Sequence, residues 1–306
     1  MKTSQENSLK KLLSACDERD INYVSWKNNH ELKLVLSGES DIDLYVPLNQ
    51  KFDFLKLCKE RGWVEFSNPV ASYPHISHFY ILGNNLEIFH LHVYFKLITG
   101  DTWTKEYSLP LEAWILENRV LNDEYGIWVL NNQSQSYIFL IRHLLKCGSL
   151  IGRFMYMREL ESYREEWNQC SEAVNENELI GPIDLSEHLE GTGVSSTDFN
   201  LPRISSSLKF RFSCSPYLRY HFISLPIIRF LSIYKRFLNK LFYKQKKVFT
   251  SRGIVIAISG VDGSGKSTML EELKNVFGKF VTIRSFHLGK PQGKFITVIK
   301  GKIFDV

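Results

Sequence analysis

Residues 26–47 read WKNNHELKLVLSGESDIDLYVP. The part from Ile42 to Val46 is apolar or aromatic apart from Asp43, which predicts a strand that Pro47 stops. Side chains alternate along a strand, so Asp41 and Asp43 share one face, about 7 Å apart. Two carboxylates at that spacing can hold one or two Mg²⁺ ions against a triphosphate. Such metals activate an attacking hydroxyl and neutralise the leaving group. Taken alone, the same two residues also read as an exposed Asp-x-Asp at a strand start, binding nothing.

Outward from this stretch the pattern is mixed α/β. Leu9, Leu12, Leu13 and Cys16 recur at helical spacing and predict a helix over 8–20, with Asn7 or Ser8 as its cap. Residues 22–26 read as a short strand, 29–36 as one or two helical turns and 49–61 as an amphipathic helix ending at Gly62. Extended segments follow at 63–66, 78–82 and 86–95, the last two joined by a turn at Gly83-Asn84-Asn85. The expectation is a mostly antiparallel sheet with helices before it. After Pro110, residues 111–118, 134–147 and 153–167 read as helices, and 168–200 reads as loops.

The wider stretch resembles the nucleotidyltransferase superfamily, in which a short helix precedes an Asp-x-Asp strand. It is closer still to bacterial proteins that fuse such a domain to a thymidylate-kinase-like domain, on Trp26-Lys27, the Gly-x-x-Asp-x-Asp turn, HLHVYFKLITGD and Leu109-Pro110. The resemblance implies catalytic and metal roles for Asp41 and Asp43 and a phosphate-binding role for Lys27. The superfamily's Gly-Ser is absent, and Lys27-Asn28-Asn29 stands near its place. Its third carboxylate belongs on a later strand. Here that strand, LEIFHLHVYF, offers Glu87, His90 and His92 and no Asp. Glu87 falls on the opposite face from the two histidines. His90 or His92 reads as a metal ligand or proton acceptor, or equally as a hydrogen-bonded sheet histidine. His75 and His78 read as loop residues nearby.

A second motif lies at Gly260-Val261-Asp262-Gly263-Ser264-Gly265-Lys266-Ser267, after the strand-like GIVIAIS. It fits G-x-x-x-x-G-K-S/T in full. The glycines let successive N–H groups face an anion, and a helix opening at Lys266 adds its positive dipole end. Lys266 is placed to reach the β/γ-phosphates and Ser267 to ligate Mg²⁺. The loop SGVDGSGKST resembles the thymidylate-kinase branch of P-loop kinases, which implies nucleotide-binding roles for Asp262, Ser264 and Thr268. A helix over 266–277 and a strand over 280–286 are expected next. From Gly253 only 54 residues remain, against the ~150–200 of a full kinase domain, so the unit reads as incomplete and its kinase activity as doubtful.

The 306 residues suggest about two domains, and 44% apolar with 23% charged residues fits an ordinary globular protein. The five cysteines are scattered, with no C-x-x-C pair, against a disulfide framework or Cys-based zinc site. Neither a leader peptide nor a membrane-spanning run is read, so the expected location is cytoplasmic, with peripheral contact at the inner membrane face. The net charge of +5 is unevenly spread: residues 203–252 hold 12 Lys or Arg and no Asp or Glu. From Ile227 this segment reads as a basic amphipathic helix. Its readings are a connecting helix, a contact with an anionic membrane surface, and, least favoured, nucleic acid.

The assembled expectation is an α/β protein. An α+β nucleotidyltransferase-like domain with a helical extension (1–200) leads into a basic helical linker (201–252) and an incomplete P-loop α/β unit (253–306). The implied function is nucleotide phosphoryl transfer with ATP and Mg²⁺, toward a sugar or nucleotide acceptor. The alternative is a non-catalytic nucleotide-binding or membrane-peripheral scaffold.

Overall fold

The computed structural model describes residues 7–83, 87–171, 179, 181–194, 199–243, 247–250, 255–261, 263–278, 283–288 and 293–297. The chain is mixed α/β. In chain order it runs α1 (Ser8–Glu18), β1 (Val24–Lys27), α2 (Leu32–Ser37), β2 (Asp41–Tyr45), α3 (Lys51–Glu60), β3 (Val64–Ser67), β4 (Ile76–Leu82), β5 (Ile88–Tyr94), β6 (Ile98–Thr99) and β7 (Tyr107–Ser108). It continues with α4 (Glu112–Glu117), β8 (Arg119–Asn122), β9 (Ile127–Leu130), α5 (Asn132–Cys147), α6 (Leu150–Arg158), α7 (Leu160–Ser171), α8 (Ile204–Ser213) and α9 (Leu225–Leu238). The last elements are β10 (Val248–Phe249), β11 (Val255–Ser259), α10 (Lys266–Phe277), β12 (Arg284–Leu288) and β13 (Gly293–Thr297). The chain divides into two compact units, Met1–Trp63 with Tyr73–Phe230 and Val64–Ser72 with Leu231–Val306.

In the first unit the strands lie in the order β4-β5-β2-β1-β9-β8. The sheet is mixed: β2 runs parallel to β5, and β1 parallel to β9, while the other neighbours are antiparallel. The two parallel pairs come from strands far apart in sequence, which local turn signals do not report.

Apolar side chains fill both faces of this sheet. On one, Ile42, Leu44, Leu91 and Val93 join Leu12 and Cys16 of α1 and Phe54 and Leu57 of α3 in one buried cluster. Asn7 caps α1 by accepting from the Lys10 N–H at 2.8 Å. On the other face Trp26 and Tyr94 join Ile138, Leu145 and Trp167 of α5 and α7. Alternation along β2 and β5 therefore turns Asp41, Asp43, His90 and His92 toward the α5 side.

The segment read as one helix over 153–167 is two. Glu159 leaves the helical region (φ −114°, ψ 19°), and the Tyr156 and Tyr163 rings stack across the break with centroids 3.7 Å apart. The hairpin β8–β9 and helix α8 lie where sequence periodicity is weak. Glu106 is fully buried between Arg211 of α8 and Arg229 of α9.

His143 on α5 is buried, its Nδ1 2.6 Å from the Tyr156 hydroxyl and its Nε2 3.0 Å from the Thr192 carbonyl. Burial pulls its pKa down to about 4 despite the bond to Thr192. The unfolded chain therefore binds the proton first, near pH 6.5. The stability His143 contributes is complete above that value and is lost as the pH falls toward 4. The thermal midpoint is expected to drop over that window. His143→Gln, by removing the titration, should flatten part of the drop in a pH series of melts.

In the second unit β3 pairs antiparallel with β10. Strands β11 and β12 flank β13, each antiparallel to it. Ile258 of β11 and Leu270 of α10 are buried together. Of the strand expected over 280–286, residues 280–282 lie outside the described residues, and residues 284–286 fall in the strand Arg284–Leu288.

Candidate metal and phosphate site

Strand register assembles the site in the first unit. The parallel pairing of β2 with β5 sets Asp41 opposite His90 and Asp43 opposite His92. The antiparallel pairing of β4 with β5 adds His78 opposite His92 and Tyr80 opposite His90. Asp41, Asp43 and His92 each bring one donor atom within 4.8 Å of the others. The His92 Nδ1 is 2.9 Å from Asp43 Oδ1 and 3.9 Å from Asp41 Oδ2, and His90 Nδ1 is 3.7 Å from Asp41 Oδ2. His78, read both as the start of an extended segment and as a loop residue, is a strand residue that stacks on His92 and reaches His90 Nε2 at 3.0 Å. Tyr80 stacks flat on His90 at 4.3 Å.

Lys27 joins by an irregularity. Regular pairing of β1 with β2 would set Trp26 opposite Asp43. Instead the register slips between Ser25 and Lys27, so Lys27 faces Asp43. Such a bulge re-aims a side chain that alternation would send to the other face. The Lys27 ammonium lies 2.7 Å from Asp43 Oδ1. Asn28 follows in the left-handed region (φ 58°), which asparagine tolerates. Its Nδ2 donates to Asp43 Oδ2 at 2.9 Å, and its backbone N–H to Glu166 Oε1 at 3.0 Å. Lys27-Asn28 thus contacts the second carboxylate directly.

The helices supply cations. Arg142 on α5 donates to Glu166 Oε1 of α7 at 2.5 Å and to Asn28 Oδ1 at 3.3 Å. Lys146, one turn further along α5, donates to the Tyr163 hydroxyl at 2.7 Å. Lys105 donates to the Tyr94 hydroxyl at 3.3 Å, and that hydroxyl lies 3.3 Å from His92 Nδ1. Lys105 adopts a left-handed backbone (φ 44°). A long side chain there is strained by about 1–3 kcal/mol, a cost tolerated mostly at functional sites. No motif or spacing in the sequence marks Lys105, Arg142, Lys146 or Glu166.

These neighbours set the protonation states. Burial opposes charge on Asp43, but Lys27 and His92 override it and hold its carboxyl well below the usual range. Burial lowers His92 to about 4 against the pull of Asp43, so its imidazole is neutral near pH 7. Burial, reinforced by Arg142, lowers Lys146 to about 8. Burial and the charge on Lys27 also lower Lys105 well below the lysine range. Lysines so disposed gain charge when an anion arrives. Asp43 is buried, whereas the Asp41 side chain is 43% exposed and open to a ligand.

A divalent ion fits the donor set: two carboxylate oxygens, one of them accessible, and a neutral imidazole. Hard oxygen donors suit Mg²⁺, and the nitrogen extends the set toward Mn²⁺. Glu87 takes no part. Its side chain lies beside Gly38, where an added Cβ would sit 3.1 Å from the Glu87 Cβ.

In the second unit β11 leads through Gly260 and Val261 to α10, which opens at Lys266. Gly263 (φ 81°) and Gly265 (φ 80°) take the left-handed conformation that makes glycine the fitting residue there. The Lys266 ammonium donates to the carbonyls of Gly260 at 2.6 Å and Val261 at 2.5 Å, which holds it against the loop. Ser264, Ser267 and Thr268 are exposed. Asp262 lies outside the described residues.

Comparison of the chain with protein-family models, with curated proteins and with solved structures returns no match.

Proposed function

We propose that the chain is a nucleotide-dependent phosphoryl- or nucleotidyl-transfer protein, with ATP and Mg²⁺ as its ligands. The first unit would be nucleotidyltransferase-like, and the second would carry a thymidylate-kinase-like P-loop. One observation carries the reading: Asp41, Asp43 and His92 converge within 4.8 Å on the sheet face that also bears Lys27. Lys105, Arg142 and Lys146 act electrostatically on that face.

Asp41, Asp43 and His92 are the residues that would hold the metal. A divalent ion there supplies Lewis-acid charge toward phosphate oxygens and lowers the pKa of a bound hydroxyl. The protein's own part is electrostatic. Asn28 and Lys27 fix the Asp43 carboxylate, and the partly buried Lys105 and Lys146 offer charge to a polyphosphate. Lys266, Ser264 and Ser267 would bind nucleotide phosphates in the second unit. The acceptor is a sugar or a nucleotide.

Polyphosphate arriving beside Lys146 raises its lowered pKa, so binding near pH 8 is expected to take up protons. Calorimetric titration of ATP at pH 8, run in two buffers of different ionisation enthalpy, reads this directly. Uptake should shrink as the pH falls to 6.5, where the lysine is already charged.

The test of function is incubation with Mg²⁺ or Mn²⁺ and each labelled nucleoside triphosphate, with and without sugar and nucleotide acceptors. Pyrophosphate release that is lost in Asp41→Asn and kept in Lys266→Ala supports transfer at the first unit. Turnover that persists in Asp41→Asn would overturn it. The short Lys27–Asp43 contact favours a second reading, in which the site binds phosphate without turnover. Under that reading ATP still binds, no product appears, and Lys27→Met weakens binding.

A further inference from the structure

The basic segment plays no part in the chemistry above, yet it holds a large apolar surface. Ile227, Phe230, Tyr234 and Phe237 recur at spacings of 3, 4 and 3 along α9, which is one stripe, and Ile223 and Leu241 continue the spacing in the turns just before and after the helix. In chain order the exposures of the six are 75, 61, 66, 49, 56 and 51%. Lys235 and Lys240 are exposed at the two borders of the stripe. Arg229, on another side of α9, reaches Glu106 at 2.9 Å, so the helix is tied down away from its apolar face.

An apolar stripe this wide, bordered by lysines, matches the interface between the headgroups and the acyl chains of a bilayer. No described helix is long and apolar enough to cross a membrane, so the helix would lie in the interface plane. The charge selects the lipid. Besides Arg211 and Arg229, which pair with Glu106, residues 203–252 carry ten further cationic and no anionic side chains, which complements an anionic leaflet. The same charge disfavours a second copy, since stripe-to-stripe packing would set Lys235 and Lys240 against like charges. Nucleic acid would place phosphates against isoleucine and phenylalanine. We propose that this face of α9 docks the protein in the plane of an anionic lipid bilayer.

Flotation of the full chain with phosphatidylcholine vesicles, and with vesicles containing 30% phosphatidylserine, tests this. Expected is capture by the anionic vesicles alone, with release as salt rises. Phe230→Ser with Phe237→Ser should cut partitioning at least tenfold at an unchanged thermal midpoint, because both rings are already exposed. Lys235→Gln with Lys240→Gln should weaken it by roughly fivefold per charge. Capture by both vesicle types equally, capture by neither, or full capture of the phenylalanine variant would overturn the proposal. So would a concentration-dependent dimer that the phenylalanine variant abolishes while vesicles capture nothing.

Discussion

Replacing Asp43 by asparagine is expected to remove divalent-ion binding and to cost about 3–5 kcal/mol of stability, the range for breaking a buried ion pair by deleting one partner. The carboxylate receives Lys27 at 2.7 Å, the Asn28 amide at 2.9 Å and His92 at 2.9 Å. Asparagine keeps the shape and one acceptor but leaves Lys27 buried without its counter-charge. An ammonium held there without a counter-charge is costly. Asp41→Asn separates the two effects. Its side chain is 43% exposed, so stability should change by less than about 1 kcal/mol, while affinity for Mn²⁺ should fall by at least about tenfold. Melts and metal titrations on the two variants check both statements. An Asp43→Asn protein with wild-type stability would mean that Lys27 does not depend on this partner.

Glu106→Gln is expected to destabilise the first unit by a similar 3–5 kcal/mol, lowering its thermal midpoint by roughly 6–20 °C. Burial opposes the charge on Glu106, but Arg211, Thr104 and Arg229 hold its carboxyl below the usual range. Oε2 accepts from the Thr104 hydroxyl at 2.6 Å and the Asp101 N–H at 3.0 Å, while Oε1 meets both arginines. Glutamine cannot accept from all of these and brings an N–H toward two cations. The loss also frees Arg229, so α9 should become more sensitive to protease at the same time. Limited proteolysis beside a thermal melt reads both. A variant that melts with the wild type would remove this carboxylate from the account of the fold.

The two carboxylates of the site are legible in the sequence because alternation along a strand is a two-residue rule, and Pro47 marks where the strand stops. The face of His90 and His92 follows from the same rule. Their pairing with Asp41 and Asp43 does not, because β2 and β5 are parallel neighbours separated by more than forty residues. Lys27 can be picked by resemblance alone: strict alternation on β1 sends it to the wrong face, and only the bulge after Ser25 brings it to Asp43. Arg142 and Lys146 sit in a helix whose buried face looks apolar in sequence, and no spacing reveals that a cation turned inward will find Glu166 or Tyr163. Lys105 lies in the stretch DTWTKE, which shows no helical or strand periodicity. The phosphate loop is the opposite case. Its chemistry depends on contiguous backbone, so the order of residues alone places its glycines and Lys266.

The central claim is that Asp41, Asp43 and His92 form a divalent-ion site on the sheet of the first unit. Its most direct test is Mn²⁺ binding to the full chain near pH 7, followed by electron paramagnetic resonance and calorimetry. The Ser267→Ala variant serves as the host, so that the hydroxyl expected to ligate a metal in the glycine-rich loop is absent. The account expects a binding event in this host that Asp41→Asn and His92→Gln each weaken at least tenfold, with Asp41→Asn changing stability by less than about 1 kcal/mol. Mn²⁺ binding left intact by both substitutions, or no binding in the host at millimolar metal, would contradict it.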